Sequence, residues 1–287
     1  MGRKPAPPNV WLVGWAALSC VGQDAEQCFQ QLCAGHTGLA PLRRLDPSRF
    51  ACRQAYELPV ATAEQDSRRA PDLALRAIAA AVADAGLTPD DLAGCPIFVG
   101  TGLGQSRAFE TAALAHASGA AEPPDCPASL TEPIQTAWPA CPVQTLSNAC
   151  AASLYALALA QDWLTASAAR YAVVVGADIV SASMFGALER VQAQPPEEVK
   201  PFDETRQGVI LGEGAAAVVI STALPRRPPS AARPRLAGVG LTCDAYHATA
   251  PLADQIEACM RQAHARAQIG PSDIDVVYAH GTGTILN

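Results

Sequence analysis

The 287-residue sequence predicts a layered α/β fold. Three observations carry this. Strand-like apolar runs alternate with segments of helical spacing. Two of those runs, "CPIFVGTG" and "YAVVVGAD", are apolar without alternation, as strands covered on both faces are. The alternating pattern then starts again after a proline- and arginine-rich connector at residues 224–235.

Taken in order, Val10–Leu18 reads as a strand, and Asp24–Ala34 as a helix with Asp24 as its N-cap. Residues 35–70 are mixed, with turn signals at "AGHTG" and "LDPS". Pro71 opens a helix, "PDLALRAIAAAVADAG", with proline in the first turn and Gly86 as the stop. "CPIFVGTG" is a buried strand, followed by a helix from about Gln105 to Ala117. Residues 118–142, rich in proline and small residues, read as a long surface loop. "VQTLSN" is a short strand, Cys150–Ala166 a helix, and "YAVVVGAD" another buried strand. Val209–Ile220 is a strand candidate interrupted by Gly212 and Gly214. Beyond the connector come a strand near Leu236–Thr242, a helix near Leu252–Gln268, and the strand "IDVVYAH". The chain therefore reads as two units, residues 1–234 and 235–287. The second holds only strand, helix and strand, which leaves apolar surface for something else to cover.

Composition narrows the classes. Hydrophobic residues make up 49% and charged residues 16%, enough for a core and too apolar for global disorder. A net charge of -7 argues against general nucleic-acid binding. The ten cysteines form no CxxC pair and no zinc spacing, so most read as small core residues in a reducing compartment. The N-terminus lacks the form of a signal peptide, and no run of about 18 apolar residues exists. These features point to a cytoplasmic protein without a metal or membrane partner.

Four segments invite a chemical reading. In "SNACAAS", Cys150 stands at the start of a helix, where unpaired N–H groups stabilise negative charge. Small neighbours leave room for a substrate, and the backbone N–H of the cysteine is placed to donate to an oxyanion. An inert buried thiol is the competing explanation. In "AHGTGT", His280 closes an apolar strand on a glycine-rich turn, placed to reach a cleft; a structural histidine is the alternative. In "KPFDETRQGVILGEGAAAVVI", Asp203 and Arg206 are spaced to pair, and structural organisation is the favoured reading. "VGTGLGQS" has glycines without the GK[ST] or GxGxxG register of a nucleotide loop.

"SNACAAS", "PFDETRQGVILGEGAAAVVI", "DAYHATAP" and "AHGTGT", in this order and spacing, resemble the beta-ketoacyl synthases, the condensing enzymes of fatty-acid and polyketide assembly with a thiolase-type αβαβα fold. The opening "VWLVGWAALSCVG…CFQQLCAGHTGL" resembles the family's first strand and helix. The resemblance covers nearly the whole chain and is weakest across residues 118–142. It implies a first thiolase-like half over residues 1–234 and a second, only begun, over 235–287. It implies that Cys150 accepts an acyl group from the phosphopantetheine arm of an acyl carrier protein. His280 then matches the first of two histidines that bind a malonyl thioester and promote its decarboxylation. No bound cofactor or metal is implied; phosphopantetheine arrives on the carrier. The family's later lysine, second histidine and phenylalanine–glycine loop have no counterpart before Asn287, so the chain is expected to hold an acyl-accepting half-site. His247, in "DAYHATAP", matches a family segment but no catalytic position, and His36 and His116 read as solvated.

The resemblance also implies a dimer, homomeric or heteromeric, paired through the strand near Val143–Asn148. A non-catalytic chain-length-factor-like subunit is the alternative function, and a thiolase or coenzyme A-dependent acyltransferase a third. Because carrier protein and chain are both acidic, carrier docking requires a local basic patch. Arg68, Arg69 and Arg76, at the start of an exposed-looking helix, are the candidates; a solvated helix face is the bland alternative.

Overall fold

A computed structural model describes residues 9–59, 68–120, 129–167, 169–192, 194–224, 234–247 and 249–285. Its centre is a six-stranded mixed sheet. In chain order the strands are β1 (Val10–Leu18), β4 (Ile97–Gly100), β5 (Val143–Leu146), β6 (Tyr171–Asp178), β7 (Gly214–Ser221) and β8 (Arg235–Leu236), arranged β5-β4-β6-β7-β1-β8. β5, β4 and β6 run parallel, while β7 lies antiparallel between β6 and β1. A two-stranded antiparallel sheet, β2 (Ala40–Pro41) and β3 (Gln54–Ala55), stands apart.

Helices cover both faces, which explains the unalternating runs of β4 and β6. On one face α2 (Arg69–Asp84) lays Leu73, Ala77, Ile78 and Ala81 against Ile97, Val99, Val173 and Val175. On the other, α5 (Ala152–Ala166) sets Ala156, Ala160 and Leu164 against Phe98, Ala172 and Val174. Each strand thus sends successive side chains into two different cores. The Asp24 N-cap is formed: its carboxylate accepts from Gln27 N at 2.7 Å and starts α1 (Ala25–Cys33). α2 begins two residues before Pro71 and stops before Gly86, whose φ is +66°.

Several expectations need correction. Residues 118–142 are not one surface loop. Residues 121–128 lie outside the described residues, but α4 (Thr131–Ala137) follows, and Leu130 and Ile134, one turn apart, are fully buried in the α2-side core. Proline is tolerated there because Pro133 sits in the first turn, where no intrahelical N–H bond is lost. α3 (Ser106–Ala117) is as expected, whereas α6 (Ala182–Val191), capped by Ser181 Oγ on Met184 N, was not anticipated. The strand expected over 209–220 begins only at Gly214.

The second unit differs most. Its helix is present as α7 (Ala253–Ala267). Of the strand near Leu236–Thr242 only β8 pairs, with Val10 and Trp11. "IDVVYAH" has strand composition but forms no strand, and Tyr278 is 97% exposed. A strand exists through its ladder, and no described residues lie alongside this segment as a partner. Most of the connector, residues 225–233, falls outside the described residues.

Candidate functional site

The parallel strands β4, β5 and β6 end on the same side of the sheet, and the chain segments after them gather there. Open α/β sheets place ligands at that end. β5 leads through Asn148 into a single 3-10 turn, Ala149–Ala151, before α5 begins. Cys150 is therefore in the turn that feeds the helix, not in its first α-turn as expected, and it is exposed. Ala149 has φ +50°. Left-handed backbone at a non-glycine residue stores strain and persists only where the surroundings enforce it.

Those surroundings are identifiable. Gly100 of β4 and Gly176 of β6 are register partners. A Cβ on Gly100 would lie 2.5 Å from Ser153 N, and one on Gly176 would collide with the Ser153 hydroxyl. The sheet thus lacks side chains where the first turn of α5 sits on it, and this close approach fixes the turn carrying Cys150. No side chain caps α5, and no acidic residue lies in its first turn. The Ala151 and Ala152 N–H groups bond to the Asn148 and Ala149 carbonyls of the 3-10 turn, and the positive end of the helix dipole faces the turn that carries Cys150.

The glycine-rich loop after β4 flanks the same turn. Asp178, the last residue of β6, accepts from Thr101 Oγ1 at 2.6 Å, Gly102 N at 2.9 Å and Leu103 N at 2.8 Å. The amides that would have cradled a phosphate are filled by an internal carboxylate, so the loop is an organised wall. A Cβ on Gly102 would sit 3.7 Å from the Ala149 carbonyl carbon. Beside α5 lies an open, mostly apolar cleft of about 550 Å³, bounded by Ser153, Leu154, Leu157, Asp178 and the start of β7; Cys150 does not line it.

His280 is exposed, and no hydrogen bond joins its ring to Cys150. The residues after it are held by the 199–208 loop. Arg206 donates from Nε to Thr284 O at 2.9 Å, from Nη2 to Ile285 O at 2.7 Å, and from Nη1 to Asp203 O at 2.9 Å. The expected Asp203–Arg206 side-chain pair is thus corrected: Arg206 meets the Asp203 backbone. The Asp203 carboxylate accepts from Thr205 Oγ1 at 2.6 Å and Thr205 N at 2.7 Å, and these bonds hold it below its ordinary pKa.

The basic cluster separates. Arg68 is exposed and pairs with Asp72 at 3.6 Å. Arg76 is exposed and donates to Gln23 Oε1 at 2.9 Å. Arg69 is not a surface residue: it is 2% exposed and paired with buried Glu213, which also accepts from Leu58 N. This corrects its reading as a docking group, since its charge is spent inside the core. Cys28, Cys52, Cys95 and Cys141 are buried as expected of core thiols, and burial pushes the Cys141 thiol up. Cys33, Cys150 and Cys243 are exposed, and Cys126 lies outside the described residues. His36, His116 and His247 are exposed, and His247 Nδ1 accepts from Thr249 N and Ala250 N. Among the described residues there is no cluster of three or more metal-ligating side chains, and no helix is long and apolar enough to cross a membrane.

A central mixed sheet with helices on both faces matches thiolase-like ketosynthase structures. The chain belongs to the beta-ketoacyl synthase family: the family's N-terminal domain matches residues 8–225 and its C-terminal domain residues 234–287. Nodulation protein E of Rhizobium leguminosarum bv. trifolii is 35% identical over 150 residues, which is 51% of this chain and 37% of that protein. The chloroplastic 3-oxoacyl-(acyl-carrier-protein) synthase I of Hordeum vulgare is 26% identical over 313 residues, covering 96% of this chain and 67% of that protein. The solved structure described as the ishigamide ketosynthase/chain length factor superposes with a TM-score of 0.84 at 32% identity, covering 98% of this chain and 75% of that one. The match to nodulation protein E thus spans well under half of that relative's length.

Proposed function

We propose that this chain acts as a beta-ketoacyl-acyl carrier protein synthase of a type II fatty-acid or polyketide system, with Cys150 as the acyl acceptor. The observation that carries the reading is the exposed Cys150 on a strained turn, at a helix start whose N–H groups no side chain occupies. In the proposed step, the Cys150 thiolate attacks the acyl thioester carbonyl on a carrier's phosphopantetheine arm. The Cys150 N–H stabilises the oxyanion, and the phosphopantetheine thiolate leaves. The malonyl thioester then loses carbon dioxide with help from His280. The resulting carbanion attacks the Cys150 thioester, forming the 3-ketoacyl product and freeing the thiolate. Strand β5, at the edge of the sheet and paired among the described residues only with β4, suits dimerisation through residues Val143–Asn148. Arg68 and Arg76 remain the candidates for docking an acidic carrier.

A second reading is a chain-length-factor-like partner subunit, since a solved relative is a ketosynthase/chain length factor. Mass spectrometry after incubation with acyl-loaded carrier protein separates the two. The synthase reading expects an acyl adduct on the Cys150 peptide that disappears in Cys150→Ala. Absence of any Cys150 adduct overturns it and favours the partner subunit.

A further inference from the structure

We propose that Arg206 is the positioning residue for His280, acting as a clamp between the 199–208 loop and residues 281–285. This rests on the reading of His280 given above, but the clamp itself stands on geometry. Residues 274–280 form no strand, and Val276, Val277 and Tyr278 are exposed. The chain before His280 therefore does little to hold its imidazole, and the anchoring lies after it. Arg206 addresses two consecutive carbonyls, those of Thr284 and Ile285, with Nε and Nη2, and turns Nη1 back to Asp203 O. Only a planar fork reaches adjacent carbonyls while holding its own loop; a lysine ammonium has no such geometry.

The rest of the contact fits the same purpose. Gly283, with φ +79°, is buried between the two segments: a Cβ there would lie 2.7 Å from Gly208 O and 3.0 Å from Val199 Cγ1. Gly281, next to His280, sits where a Cβ would meet the Phe202 ring at 3.4 Å. Phe202 itself has φ +60°. The Asp203–Thr205 bonds close the turn that presents Arg206. Thr282 and Thr284 hydroxyls bond each other at 2.9 Å and stiffen the clamped segment.

The test uses the full chain with ¹⁵N-labelled histidine and hydrogen exchange, comparing Arg206→Ala and Arg206→Lys with the parent. Losing the fork should speed amide exchange across 281–285 by about tenfold or more, the effect of one lost charge-assisted hydrogen bond. It should also shift and narrow the His280 ring signals, while those of His36, His116, His247 and His264 stay in place. Arg206→Lys should fall between the two, and it decides the matter if Arg206→Ala fails to fold. In an active assembly, carbon dioxide release should fall more than acylation of Cys150. Unchanged His280 signals and unchanged exchange in both variants overturn the clamp, as does an equal displacement of all five histidines. If Cys150 is not acylated in the parent, the functional reading fails, whereas the NMR and exchange results still judge the clamp.

Discussion

Cys150 and His280 are held by different means. The cysteine turn rests on a sheet covered on both faces: β4 and β6 give up side chains at Gly100 and Gly176, Ser153 fills the space, and Asp178 organises the adjoining loop. Among the described residues the histidine segment pairs with no strand; it is held by the Arg206 hydrogen bonds and by the close approach of Gly281 and Gly283 to the 199–208 loop. The first arrangement is enforced by packing, which leaves little freedom for compromise. The second can loosen without disturbing the sheet. Local opening is therefore expected at 274–285 well before the turn at Cys150 yields.

The largest effect should come from the core that supports the first region. Arg69 and Glu213 are both buried, and their pairing joins α2 to the start of β7. Arg69→Ala removes the nearest partner of the buried Glu213 carboxylate, which keeps the more distant Arg44 at 3.8 Å and the Leu58 amide, and should cost about 3 kcal/mol in urea unfolding. Arg68→Ala, one residue away but exposed, should stay within about 0.5 kcal/mol. Equal effects would show that the buried pair does not hold the framework together.

Glycine substitutions compare the two regions directly. Gly100→Ala places a methyl group against the backbone of Ser153 and should cost about 1–3 kcal/mol, with altered reactivity at Cys150 because the helix start must move. Gly281→Ala, at φ +57° but only 3.4 Å from Phe202, should cost about 1–2 kcal/mol for its backbone and leave Cys150 labelling unchanged. If both variants alter Cys150 alike, the two regions are more tightly coupled than their contacts indicate.

How far this was legible follows from the range of each interaction. β4 and β6 could be read because burial on both faces writes an uninterrupted apolar run, and α1 because Asp24 caps it three residues away. Cys150 stood out by its small neighbours, but the left-handed Ala149 did not, since alanine carries no preference for that conformation. Arg69 was misread because a local pattern shows three arginines near a helix start, while its partner Glu213 lies 144 residues away. Arg206 invited pairing with its near neighbour Asp203, yet its fork turns to carbonyls 78 and 79 residues distant. Residues 274–280 carry strand composition, and composition does not supply the second strand.

The smallest effect concerns acid. Hydrogen bonds from Thr205 lower the Asp203 pKa below its ordinary 3.8. A depressed folded-state pKa gives stability that is present above the ordinary value and lost as pH falls through the lower folded one. The turn presenting Arg206 should therefore persist down to that lower value. An NMR titration of the Asp203 carboxyl carbon should find a midpoint below 3.8; a midpoint at or above it would contradict the bonding described for the turn.

The central claim is that the turn beginning at Ala149 makes Cys150 a nucleophile rather than merely an exposed thiol. Competitive alkylation of the native chain with substoichiometric iodoacetamide, read by peptide mass spectrometry, compares it with the other two cysteines exposed among the described residues, Cys33 and Cys243. Cys150 should be modified first, and its advantage should vanish on urea unfolding. Modification of Cys33 or Cys243 at an equal or greater rate in the folded chain would contradict the account.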